Sequence, residues 1–335
     1  MGGRVKGHDL DLSGIKTYSI KGRKSKVGLD QFSTKHKAGS RFSSFLDSLP
    51  DMLAARDLRE IISAIVEAYR GDKVVAVGMG AHPTKVGLNP IVIDLMERGV
   101  ISSVAVNGAV IIHDMELALA GKTSEDVDSE IGRGRFGMVE ETPTILNEAI
   151  KSGVKRGLGI GEAVGERINS ADFPFRQESI VAAGYRLGIP VTVHVAIGTD
   201  IIHMHPSVDG AALGEGSIID FRKFASVISR LDRGVYLNVG SAVIMPEVFL
   251  KALTLVRNLG HKVRNFTTVN MDFIQHYRPV TNVIKRPTKG AGRGYSLTGH
   301  HEIMLPLIAA GIIESLGNAD RPGKKKSTKK QLGRI

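Results

Sequence analysis

Apolar positions along this chain follow two alternating periods. Leu53, Leu58, Ile61, Ile62, Ile65 and Val66 recur at helical spacing, and the short β-branched run at 73–77 that follows has the character of a strand buried in a parallel sheet. The same alternation returns along the chain. Helices are predicted over about 88–98, 110–120, 178–187, 218–231, 246–259 and 301–316, with strands over 101–106, 190–196, 235–239 and 263–269 between them. Strands that alternate with helices at this spacing imply βαβ crossovers. The fold class is therefore α/β: a Rossmann-like, doubly wound, mostly parallel sheet with helices on both faces.

The stretch 121–176 fits the alternation less well. It holds an acidic run, the loop Gly132-Arg133-Gly134-Arg135 and two helical patterns with no strand between them, and it is expected to be a helical insertion. The domain plan is a basic N-terminal arm at 1–42, an α/β domain at 43–318 and a basic, disordered tail at 319–335.

Charge supports that plan. The chain of 335 residues carries a net +11, of which 1–42 contribute +7 and 319–335 contribute +6, leaving the centre at −2. A tail such as Lys324-Lys325-Lys326 reads as a solvated segment, with nucleic acid a minor alternative partner. No cysteine is present, which excludes disulfides, zinc ribbons and cysteine nucleophiles. With no apolar stretch of membrane-spanning length, a cytoplasmic protein with no membrane partner is expected.

Where strands meet helices, the residues are small: Gly78-Met79-Gly80, Asn107-Gly108, Gly198-Thr199-Asp200 and Gly240-Ser241. In open parallel sheets the ligand crevice lies outside the carboxyl ends of the strands, where glycine lets backbone approach a ligand and helix N-termini favour anions. The set favours a dinucleotide or a phosphorylated ligand over four unrelated tight turns. Gly159-Ile-Gly161-Glu-Ala-Val-Gly165 has one residue too many for a dinucleotide fingerprint and no strand before it, so helix packing explains it better. Gly121-Lys122-Thr123 reads as a helix C-cap.

The histidines concentrate. His194, His203 and His205 lie in and after one strand, and His300-His301 precede the last helix. His203 and His205 share a side if extended, but no third metal ligand is evident, so the expectation is no metal and an acid-base or anion-binding role. Lys285 and Lys289 sit in a basic Gly-rich segment where a lysine could form an imine, bind an anion or simply carry surface charge.

Val77-Gly-Met-Gly-Ala-His-Pro-Thr-Lys-Val-Gly87, Asn107-Gly-Ala-Val-Ile-Ile-His-Asp114, Gly198-Thr-Asp200, Gly240-Ser-Ala-Val-Ile-Met-Pro246, Val269-Asn270 and Leu305-Pro-Leu-Ile308 occur in the order of corresponding segments in the deoxyhypusine synthase family, which this chain resembles over roughly 50–315. The resemblance implies a homotetramer with NAD as cofactor, bound by Gly78, Gly80, Thr84, Asn107, Gly108, Asp114, Thr199, Asp200, Gly240, Ser241 and Asn270. Catalysis would fall to His205, His203 and Lys285. The family's imine-lysine motif contains a tryptophan, and this chain has none. His205 stands where the family holds a polyamine nitrogen with an acidic residue. A polycation needs carboxylates to replace its hydration, so a neutral or anionic small-molecule substrate is expected. The readings are an NAD-dependent enzyme of amine or alcohol oxidation or transfer, a non-catalytic nucleotide- or phosphometabolite-binding protein, and a deoxyhypusine or homospermidine synthase.

Overall fold

The computed structural model describes residues 9–317. Helix α1 (Phe42–Ser48) and the long α2 (Leu53–Arg70) lead into β1 (Val75–Met79). There follow α3 (Asn89–Glu97), β2 (Ser103–Asn107), α4 (Gly108–Ala120), α5 (Glu141–Lys155), α6 (Ile160–Ser170), α7 (Ile180–Leu187) and β3 (Val191–His194). The second half runs α8 (Gly210–Ile228), β4 (Val235–Val239), α9 (Ile244–Asn258), β5 (Thr267–Asp272), a π-helical turn Val280–Lys285, β6 (Arg293–Thr298) and α10 (His301–Leu316).

All six strands are parallel, in the order β3-β2-β1-β4-β5-β6. Period-two alternation splits their side chains between two cores. Val75, Val77, Met79, Val104, Val106, Val235, Leu237 and Val239 enter one core with α2, α3 and α10. Ala76, Ala105 and Tyr236 enter the other, against Phe224 of α8 and Phe249 of α9. On that second face the helices supply the bulk, and Tyr236 stacks on Phe249 with ring centroids 3.9 Å apart.

Two strand expectations are corrected. The fifth strand is Thr267–Asp272, not 263–269, because Asn270 and Asp272 are buried at its polar end. A sixth strand, Arg293–Thr298, starts at the end of the Gly-rich basic segment, where no strand was expected; as an edge strand it buries only Leu297 fully and shows no apolar alternation. The stretch 121–176 forms the crossover from β2 to β3, and its helix α6 packs on β3 and α7. Gly121 has φ 66° and caps α4, as its sequence suggested. Residues 9–41 carry only the single turns Ile20–Gly22 and Leu29–Gln31. The tail 319–335 and residues 1–8 lie outside the described residues. Among the described residues no helix is long and apolar enough to cross a membrane.

Candidate functional site

The chain leaves β1 toward β2 on one side and returns at β4 on the other, so the sheet order reverses between β1 and β4. In a doubly wound sheet this reversal opens a crevice at the carboxyl ends of the two strands. Its floor is backbone. The Gly80 N–H donates to the Val239 carbonyl at 3.0 Å, and the Gly240 N–H donates to the Met271 carbonyl at 3.1 Å. A Cβ on Gly80 would sit 2.1 Å from the Gly240 oxygen, so only glycine lets the two loops close to this distance. Gly240, at φ 64°, takes a left-handed conformation that glycine adopts without strain.

Side-chain amides extend the floor across the next strands. Asn238 Nδ2 donates to the Ser241 carbonyl and to Asn270 Oδ1, Asn270 Nδ2 donates to Gln275 Oε1, and Gln275 Nε2 donates to the Leu297 carbonyl. Ser241 Oγ accepts the Met245 N–H in the first turn of α9. These contacts fix the rim of β4, β5 and β6.

On the other side, α4 starts directly at Gly108 after β2, with Asn107 as its N-cap residue, and places its N-terminus at the rim. Gly108 makes room for Asp200, since a Cβ there would lie 2.1 Å from Asp200 Oδ2. His203 Nδ1 accepts the N–H groups of Gly198 and Asp200, at 3.1 and 3.2 Å. An acceptor Nδ1 puts the ring proton on Nε2, which lies 4.0 Å from Asp200 Oδ2. Burial raises the Asp200 carboxyl above its ordinary value, while His203 opposes that rise. His205 is held in its own loop: its Nδ1 accepts the Ser207 N–H and faces the Ser207 hydroxyl, which in turn accepts from Asn147. His203 and His205 thus spend their Nδ1 atoms on local backbone, and among the described residues no His, Asp or Glu cluster could hold a metal ion.

A further histidine group stands at the ends of β1, β5 and β6. His82 lies 5.3 Å from His301 between ring centroids, and Phe273 contacts both and stacks on His300. His301 is fully buried; its Nε2 donates to the Met271 carbonyl, which leaves Nδ1 as an acceptor without a partner. Burial and then the neighbouring His301 lower the His82 pKa. The pair His300-His301 was visible in sequence; that His82 joins it follows only from the sheet order.

Three candidates are placed elsewhere. Asp114 is completely buried in α4, where it accepts from Asn89 Nδ2, Ser179 Oγ and the N–H groups of Ile180 and Val181. It caps α7 and is spent on structure, with burial pushing its carboxyl up to about 6. Gly78 lies inside β1 and leaves space for the Tyr236 hydroxyl on the sheet face, so it does not open on the crevice. Lys285 is exposed at the end of the π-helical turn, beside Ile284, whose carbonyl packs on Gly294 near the start of β6. It therefore stands at the amino edge of the sheet, across from the crevice. Thr199 is exposed and donates to the Ala196 carbonyl, and Thr84 is buried at the rim with Oγ1 unpartnered.

A buried polar atom without a partner in the protein calls for an explanation, of which a bound water or ligand is one. Among the described residues, Thr84 Oγ1, Asn107 Oδ1, Asp200 Oδ2, His203 Nε2, Asn238 Oδ1 and His301 Nδ1 are such atoms on this carboxyl side, while Asn89 Oδ1, Asn147 Oδ1, Asp220 Oδ1, Tyr236 Oη and Thr268 Oγ1 are others elsewhere. The fold and crevice define the chain as a doubly wound α/β protein of Rossmann-like architecture.

Comparisons with known proteins agree on that class. Neither protein-family models nor curated protein sequences gave a match. Among solved structures, a conserved protein of Methanococcus maripaludis S2 assigned to the LOR/SDH group aligns at TM-score 0.50 and 16% identity, covering 88% of this chain and 75% of its own. Unliganded AgrE aligns at TM-score 0.50 and 15% identity over 84% of this chain, which spans 34% of AgrE's length. A protein of Entamoeba histolytica assigned as a deoxyhypusine synthase aligns at TM-score 0.45 and 12% identity, over 82% and 93% of the two chains. The two likenesses at TM-score 0.50 show the fold.

Proposed function

We propose that the carboxyl-edge crevice binds NAD and that the chain is an NAD-dependent enzyme acting on a small neutral or anionic substrate. The observation that carries this reading is the close contact of the glycine loops at Gly80 and Gly240, at the reversal of strand order. AgrE, whose unliganded form shares the fold, forms a ternary complex with ornithine and NAD+, which supports the same reading.

In this proposal the Gly80 and Gly240 loops receive the pyrophosphate, because no side chain there blocks the approach of backbone. The N-terminus of α4 and the Asn107 side chain present donor and acceptor groups to the same ligand. Asp200, with Oδ2 unpartnered, accepts a ribose hydroxyl. NAD supplies a hydride acceptor when bound. His82, whose pKa burial and the neighbouring His301 lower, accepts the proton that an alcohol or amine gives up on oxidation. Lys285 takes no part, being at the other edge of the sheet, and this counts against imine transfer through that residue. The crevice loops offer histidines where a polyamine would need several carboxylates.

Mass spectrometry of small molecules released by denaturing the freshly purified full-length chain tests the proposal. NAD or NADH at a substantial fraction of one per chain is expected. Release of no nucleotide, together with no thermal shift on adding NAD+ or NADH, would overturn it.

A further inference from the structure

At the amino edge of the sheet, across from the crevice, a cleft of about 580 Å³ opens between α2 and the loops that enter β4, β5 and β6. Its walls have opposite character. Glu60, Ser63 and Glu67 lie along one face of α2, at the helical spacings of three, four and seven. Lys73, Arg233 and Arg293 face them from three different loops and strand starts.

The carboxylates are held in place. Tyr295 Oη donates to Glu60 Oε2 at 2.6 Å, and Ser63 Oγ donates to Glu67 Oε1 at 3.0 Å. Yet among the described residues no ion pair within 4.0 Å joins Glu60 or Glu67 to Lys73, Arg233 or Arg293. Tyr295 links Glu60 to Arg293, and Asp232 lies within reach of the charges of Lys73 and Arg233, but no direct pair closes the two walls on each other, which leaves room for a ligand between them.

Arg233 adds an independent observation. It is one of four non-glycine residues among those described with positive φ, at 63°, and it is exposed. A side chain there costs on the order of 1 kcal/mol or more relative to the conformations L-residues prefer, and glycine would relieve that cost. Strain retained at a charged residue on the lip of a cleft points to a use for the guanidinium.

We infer that this cleft binds a small ligand with one ammonium and two anionic groups, the amino dicarboxylates being the simplest class. Glu60 and Glu67 receive the ammonium; Lys73, Arg233 and Arg293 receive the two anionic ends, and the ligand's net negative charge offsets the net positive charge of these five side chains. The aliphatic part lies against Ala64 and Phe266. The site is independent of the nucleotide crevice and does not rest on it.

Titration calorimetry of the full-length protein tests this, with L-glutamate as probe and glutarate and L-glutamine as comparators that lack the ammonium and the second carboxylate. L-Glutamate is expected to bind one site per chain at least roughly tenfold more tightly than either comparator, and Arg293→Ala or Glu60→Gln is expected to weaken it by a similar factor. Arg233→Gly separates binding from folding: it removes the guanidinium and relieves the backbone, so melting temperature should hold or rise while affinity falls at least roughly tenfold. No saturable binding of L-glutamate at millimolar concentration, equal binding of all three probes, or unchanged affinity in Arg233→Gly would each overturn the assignment.

Discussion

Asp200 Oδ2 and His203 Nε2 face each other at 4.0 Å, and neither has another partner within the protein. Two backbone N–H groups, from Gly198 and Asp200, hold the His203 ring by Nδ1 and thereby fix its proton on Nε2. Nitrogen-15 NMR of the histidine side chains should show His203 as the Nε2–H tautomer in the neutral protein. A dominant Nδ1–H form would contradict the geometry. Asp200→Asn, which removes the charge and keeps the shape, should leave the fold intact and weaken NAD binding at least roughly tenfold, the loss expected for a charged hydrogen-bond acceptor.

Glycine substitutions distinguish the floor of the crevice from its wall. In Gly80→Ala the new methyl meets a backbone oxygen, that of Gly240, which can move only if the β1 and β4 loops separate. The variant should lose about 1–3 kcal/mol of stability and its nucleotide affinity together. In Gly108→Ala the obstacle is the end of the Asp200 side chain, which can rotate away. Stability should fall less than in Gly80→Ala, while the Asp200–His203 relationship is lost; denaturant titration and NAD titration of both variants check the contrast.

Tyr236 is fully buried, and its hydroxyl, lodged against Gly78, has no hydrogen-bond partner in the protein. An unsatisfied buried hydroxyl costs stability, whereas the ring keeps its stacking on Phe249 without it. Tyr236→Phe should therefore stabilise the chain by about 1 kcal/mol, read as a raised denaturation midpoint. A loss of that size would mean that the hydroxyl is satisfied.

Burial pushes Asp220 up to about 7, against the N–H groups of Gly161 and Val193 that its Oδ2 accepts. Because its folded-state pKa lies above the ordinary carboxyl value, its contribution to stability is complete below that ordinary value and is lost as pH rises through about 7. Asp114, up to about 6, acts in the same direction. His113 and His194, lowered to about 4 and about 3 by burial, act oppositely, losing stability as pH falls below the ordinary histidine value. Asp220→Asn removes only its own titration, so the variant's melting temperature relative to the parent should become more favourable between about pH 5 and about pH 8. A difference that stays constant across that range would contradict the assignment.

The parallel sheet was legible because its strands are buried on both faces and read as β-branched runs, as at Val75 and Val104. β6 escaped because an edge strand needs little apolar surface, and Gly294 and Ser296 read as turn residues. The strand-end loops were legible through their glycines, but a glycine does not say which way it faces. Gly80 and Gly240 close the crevice floor, while Gly78 admits Tyr236. Asp114 belongs to the same sequence segment as Asn107 and Gly108 yet points into the protein, because a helix begun at Gly108 carries it two turns away from the rim. Lys285 followed the last recognised strand, and the unrecognised crossover to β6 takes it to the opposite edge. The His82–His301 pair joins residues more than two hundred positions apart, which no local pattern reveals.

The most direct measurement is titration calorimetry of NAD+ into the full-length chain and into a folded Gly80→Ala variant. The account predicts saturable binding near one NAD+ per parent chain and its loss in the variant. Absence of binding to the parent, or equal binding to both, would contradict a nucleotide site built on the contact between Gly80 and Gly240.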